Sequence, residues 1–297
     1  MGEEERKAIG QTEDREETGM KESIHTIPLM DAFKAKDECP FCFLEREAEQ
    51  HAISYALGSG ASYMEEDVRG MTDKEGFCRH HYKMMYDYGN RLGSALILST
   101  HMKRLNQDMK KQMDSFTPGK SSFMKRMQKT SLNGKVPETS LGQWVQQEES
   151  SCFVCSQFKA NYERYLDTFF DLYKSSPEFV KLFEESKGFC LPHFGDLVET
   201  AEKKLNDKQK KEFYPVLFRL MEENYQRLQE EVTWFTEKYD YRNKDKSWGN
   251  SKDSIQRCMQ KLAGGYPADE PFTEDRESKW FELKSVLNDV RKEKDIR

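Results

Sequence analysis

Cys39-Pro40-Phe41-Cys42, followed by Gly76-Phe77-Cys78-Arg79-His80-His81, is a pattern the chain writes twice: Cys152-Phe153-Val154-Cys155 precedes Gly188-Phe189-Cys190-Leu191-Pro192-His193. Both copies read C-x2-C, then G-F-C-x2-H, with 35 residues between the second and third cysteines in the first copy and 34 in the second. The offset between copies is 113 residues at the C-x2-C pairs and 112 at the C-x2-H pairs, which marks an internal repeat with a one-residue length change. A C-x2-C pair turns two thiolates onto one cation, and a C-x2-H pair does the same with a thiolate and an imidazole. Each copy therefore supplies four donors, and the expectation is one quartet per copy: Cys39, Cys42, Cys78 and His81, then Cys152, Cys155, Cys190 and His193. His80 competes with His81, but Pro192 holds the matching place in the second copy and cannot ligate, so alignment selects His81 and His193.

Three thiolates and an imidazole in tetrahedral array suit Zn2+, and four protein ligands with no open position mark a structural zinc rather than a catalytic one. Two zinc ions per chain are expected. The alternative on the same ligands is an iron-sulfur cluster, although the closely spaced cysteine run of a ferredoxin is absent.

The segments around the ligands carry helical periodicity. After Cys42, Leu44, Ala48 and Ile53 recur among charged residues up to Leu57-Gly58-Ser59-Gly60; after Cys155, Tyr162 to Tyr173 do likewise until Ser175-Ser176-Pro177. Pro177 opens a short helix with Phe179, Val180, Leu182 and Phe183, and Gly188 turns the chain toward Cys190; Tyr63–Arg69 is the matching segment of the first copy. One long helix is expected after each C-x2-H, with core stripes Met85, Leu92, Leu96, Met102, Leu105, Met109, Met113 and Leu217, Met221, Tyr225, Leu228, Val232, Phe235, Tyr239. No stretch alternates like a strand. The predicted fold is all-α, with two related metal-pinned helical repeats forming one or two bundles.

The expected organisation is an acidic, disordered extension over 1–24, a first Cys3His repeat over 25–113, a basic linker over 114–143, a second repeat over 144–242 and a helical tail over 243–297. The extension holds eight acids and four bases, and so accounts for most of the net charge of −6 of the 297-residue chain. The linker carries Pro118-Gly119, Asn133-Gly134 and Pro137 among Lys120, Lys125, Arg126, Lys129 and Lys135. In the tail, one helix is expected near 252–262, a break at Gly264-Gly265-Tyr266-Pro267, and a last helix capped by Thr273 with Trp280, Leu283, Leu287 and Val290 on its apolar face.

Composition narrows the function classes. Charged residues make up 34% and mean hydropathy is −0.92, so helices must be strongly amphipathic, while 12% aromatic residues supply a core. No apolar run reaches bilayer length and no signal peptide is evident, so the expectation is a cytoplasmic protein with no membrane contact. Seven cysteines in that setting point to metal rather than disulfides. The acidic total disfavours nucleic acid, leaving a protein partner as the expected ligand of a regulatory or interaction protein. No P-loop, G-x-G-x-x-G or H-E-x-x-H is present, and no catalytic residue is assigned; a metalloenzyme or redox protein is the alternative. Glu65, Glu66 and Asp67 read as the acidic first turn of a helix, and Cys258 as a half-buried helix residue.

Thr26-Ile27-Pro28-Leu29-Met30-Asp31-Ala32-Phe33, Cys39-Pro40-Phe41-Cys42, Ser62–Arg69, Gly76-Phe77-Cys78 and Asn90-Arg91-Leu92-Gly93 together resemble an uncharacterised bacterial domain-of-unknown-function family, over roughly residues 24–242. Its members look like cytosolic proteins of anaerobic, Gram-positive-type bacteria. The resemblance implies a shared fold but no activity and no catalytic residues; an anaerobic origin would favour the iron-sulfur alternative.

Overall fold

The computed structural model describes residues 24–60, 62–120 and 137–265. Every regular element among them is helical. The α-helices are α1 (Thr26–Lys34), α2 (Pro40–Leu57), α3 (Glu66–Glu75), α4 (Arg79–Tyr88), α5 (Arg91–Ser115), α6 (Ser140–Ser150), α7 (Phe153–Ser175), α8 (Pro177–Glu184), α9 (Leu191–Lys204), α10 (Asp207–Glu237) and α11 (Ser254–Ala263), with 3-10 turns at Ser62–Met64 and Tyr241–Asn243. The acidic extension, the linker bases from Lys125 to Lys135 and the last helix expected from Thr273 lie outside the described residues.

The central pair is α2 and α7, the two helices that follow the C-x2-C motifs. They pack together antiparallel. Leu44 near the start of α2 shares a core with Leu166, Phe169 and Phe170 from the second half of α7, whereas Ala52, Ile53, Ala56 and Leu57 at the end of α2 meet Phe153 and Val154 at the start of α7. Each helix thus begins in one core and ends in the other.

The larger core joins α1, α2 and α7 to α8, α9 and α10 and is dominated by phenylalanine. Phe41, Phe169, Phe170, Phe179, Phe183, Phe189 and Phe213 are all fully or almost fully buried. Burying each such ring is worth about 1.5–3 kcal/mol before entropy is counted. Their edge-to-face contacts, such as Phe169 on Phe183 at 5.5 Å, suit the ring quadrupoles. The smaller core adds Phe77, Met85 and Ile97 to the ends of α2 and α7.

Two expectations change. The single helix after each C-x2-H is in fact two. Gly89 adopts left-handed φ of 88° and ends α4, after which the Asn90 side chain accepts from the Gly93 N–H and starts α5. In the second copy Asn206 and Gln209 close a capping box that starts α10 afresh. The methionine stripe of α5 is also not core: Leu92, Met102, Met109 and Met113 are exposed, and the buried face is Gly93, Ile97 and His101. This long helix packs one face on α3, α4 and α6, and the methionines lie on the other. In α10 the buried set is Phe213, Leu217, Leu220 and Leu228, while Tyr239, just past the end of the helix, is exposed.

Candidate metal centres

All four motifs occupy the same place in their helices. Cys39, Cys78, Cys152 and Cys190 are the N-cap residues of α2, α4, α7 and α9, each with extended backbone, and Cys42, His81, Cys155 and His193 stand three residues on, in the first turn. Cap and third position lie on one side of a helix start, so the C-x2-C or C-x2-H spacing aims two donors in one direction. The partial positive charge of the helix start also favours thiolate there.

The G-F-C lead explains how the chain arrives. Gly76 and Gly188 both have left-handed φ, at 57° and 73°. A Cβ on Gly76 would collide with the His101 ring at 2.7 Å, and one on Gly188 would press on the Leu220 carbonyl oxygen at 3.2 Å. The following Phe77 and Phe189 are buried anchors.

The eight donors gather into two quartets, and each draws on both copies. Cys39 and Cys42 meet Cys190 and His193; Cys78 and His81 meet Cys152 and Cys155. The pairing expected within each copy is therefore replaced by an exchange. Its cause is the antiparallel α2 and α7: each C-x2-C helix starts in the core where the other copy's C-x2-H helix starts. A backbone bond from the Phe153 N–H to the Gly76 carbonyl, 2.9 Å long, joins the two motifs of the second quartet directly.

In the first quartet His193 Nδ1 lies 3.4, 3.5 and 3.1 Å from the Sγ atoms of Cys39, Cys42 and Cys190, and Cys42 Sγ is 3.6 Å from Cys190 Sγ. In the second, His81 Nδ1 lies 3.2, 3.2 and 3.5 Å from the Sγ atoms of Cys78, Cys152 and Cys155, and Cys78 Sγ is 4.0 Å from Cys155 Sγ. A tetrahedral ion with metal–sulfur bonds of about 2.3 Å and metal–nitrogen bonds of about 2.05 Å would hold its ligands roughly 3.8 Å apart for two sulfurs and roughly 3.6 Å apart for sulfur and nitrogen. Each quartet fits one mononuclear ion.

Electrostatics favour the same chemistry. Burial opposes an imidazolium, but neighbouring thiolates and, for His81, Glu49 outweigh it, and both His81 and His193 are pushed up to about 10. Burial raises Cys152, yet its hydrogen bond with His81 carries it down to about 6. Cys42 and Cys155 are raised, the first chiefly by hydrogen bonds to Cys190 and Cys39, the second by partial desolvation of its otherwise exposed side chain and the charge of Cys152. Each quartet can thus trade protons for a cation.

Residues invisible to the spacing argument complete both sites. The Nε2–H of His81 donates to Glu49 Oε1 at 3.0 Å, which fixes the tautomer that presents Nδ1 to the sulfurs. His80 is exposed and lies 3.6 Å from the same carboxylate oxygen. At the first quartet, Phe41 and Tyr162 pack their rings against His193. The buried Lys261 of α11 donates to the carbonyls of Glu38, just before Cys39, and of Lys187, just before Gly188, so one ammonium braces both loops. Glu38 is itself buried and pairs with Arg227 at 2.6 Å. Its carboxyl is held low, the charges of Lys261 and Arg227 outweighing burial.

Between the quartets runs a cleft of about 740 Å3 lined by Cys42, Glu45, Glu49, His80, Lys83 and His193 among others. Glu65, Glu66 and Asp67 are exposed at the start of α3 and join neither quartet, and Cys258 is half-buried against the Leu228 carbonyl. No helix among the described residues is long and apolar enough to cross a membrane.

Searches of curated proteins and of solved structures return no match. A family model does match, over residues 20–269, and the chain belongs to that family, one of unknown function, DUF6062.

Proposed function

We propose that the protein is a helical scaffold held together by two structural zinc ions, one ligated by Cys39, Cys42, Cys190 and His193 and the other by Cys78, His81, Cys152 and Cys155. The observation that carries this reading is the closeness of the donors: within each quartet all four donor atoms lie within 4.8 Å of one another. That spacing suits a single ion with every position filled. A multi-iron cluster spreads its thiolates over separate irons and needs them further apart, so the same spacing speaks against the iron-sulfur alternative.

With no coordination position left for substrate, the metal serves the fold. Structural zinc contributes about 10–16 kcal/mol of apparent binding energy per site. What such a scaffold displays is surface, and the exposed row Leu98, Met102, Met109 and Met113 on α5 suits an adaptable protein contact better than a small substrate. The test is metal content and visible absorbance of protein purified without oxygen or added metal. Two zinc ions and a colourless sample are expected; iron with sulfide and a visible band would overturn the reading.

A further inference from the structure

The two quartets have the same donors and unequal exposure. In the first, Cys39, Cys42 and Cys190 have no solvent exposure and His193 has 8%. The end of α11 closes over it: a Cβ on Gly264 would stand 3.7 Å from Cys190 Sγ and 4.0 Å from Cys42 Sγ. In the second, Cys155 is exposed and Cys78 is half-exposed, while Cys152 and His81 are buried. Cys78 Sγ lies 4.0 Å from Cys155 Sγ, so a second thiolate stands beside the exposed one.

Resting on the zinc reading above, we propose that the second quartet is a peroxide-reactive zinc thiolate site, with Cys155 as the sulfur that meets the oxidant. The Cys155 thiolate attacks one peroxide oxygen, the O–O bond breaks, and hydroxide leaves, giving a sulfenic acid. A neighbouring thiolate of the same quartet then attacks that sulfur, forms the S–S bond and expels a second hydroxide. Two thiolates have lost two electrons, hydrogen peroxide has gained them, and two protons convert the hydroxides to water. The zinc, left with one thiolate and His81, is released. The first quartet, whose three sulfur residues have no solvent exposure, keeps its ion.

The experiment treats the full chain, first shown by metal analysis to carry two zinc ions, with hydrogen peroxide while a chromogenic chelator reports free zinc. One equivalent should leave at least about tenfold faster than the other, as exposure dictates for thiolate oxidation. Peptide mass spectrometry of that sample should find Cys155 in a disulfide with Cys78 or Cys152, and Cys39, Cys42 and Cys190 reduced. Cys155→His keeps four donors and should hold two zinc ions while losing the fast phase. Should that variant fail to fold, the disulfide map of the unaltered protein decides alone. Release of both ions in one phase, oxidation of the first quartet, or no release overturns the proposal; absence of zinc at the start overturns the zinc reading instead.

Discussion

Glu49 sits on α2 and its partner His81 on α4, 32 residues away, and nothing in the local spacing connects them. Sequence exposes residues that ligate because they come in pairs three residues apart; a carboxylate that orients a ligand needs only to be near in space. Glu49→Gln should lower zinc affinity at the second site about 10–100-fold, the usual cost of losing such an outer partner, and leave the first site unchanged. Chelator competition with two resolved zinc transitions would show it, and equal weakening of both would refute it. The imidazoles make a second prediction. His81 and His193 are pushed up to about 10 by the neighbouring thiolates, so at neutral pH each ring is protonated before the cation arrives and must give up that proton. Zinc affinity should therefore rise with pH through the neutral range and fall as pH drops, with each released proton worth about tenfold per unit. Calorimetry in buffers of different ionisation enthalpy should find proton release on binding; a pH-independent affinity would rule this out.

At the scale of the helix, the sequence announces starts more clearly than middles. Pro40, Pro177 and the four cysteine motifs mark where helices begin, and α2, α7 and α8 run as their flanking residues indicate. The breaks at Gly89 and Asn206 were harder to see, since apolar residues continue in step across both. On α5 the periodicity is real but faces solvent, because a methionine and leucine stripe looks the same in sequence whether or not another element covers it. Gly188 is the element-level position most exposed to test. Its left-handed φ and the Leu220 carbonyl close behind it leave no comfortable place for a side chain, whereas the exposed Gly195 on α9 has open space around it. Gly188→Ala should destabilise the protein by about 1–2 kcal/mol and lower its melting temperature; Gly195→Ala should be neutral or slightly stabilising. Equal melting temperatures for the two variants would contradict the turn argument.

For the whole molecule, the identity of the eight donors could be read from the chain, but their partition could not. The two copies have matching spacers and the same donor types, so pairing within a copy and pairing across copies satisfy the coordination equally well. The choice belongs to α2 and α7, whose antiparallel packing carries each C-x2-C to the far core. The consequence is mechanical: an ion held by either quartet would tie the first half of the chain to the second, and neither half contains a complete quartet. Paired substitutions separate the two arrangements by counting ions. Cys39→Ser with Cys190→Ser damages a single quartet in the exchanged arrangement and should cost one zinc, whereas Cys39→Ser with Cys78→Ser damages both and should cost two. Pairing within copies demands the reverse, two ions lost in the first double variant and one in the second. An ion in either exchanged quartet would bridge the halves, so the Cys39/Cys78 variant should also lose the single cooperative melting transition, and loss of only one zinc in that variant would disprove the exchange.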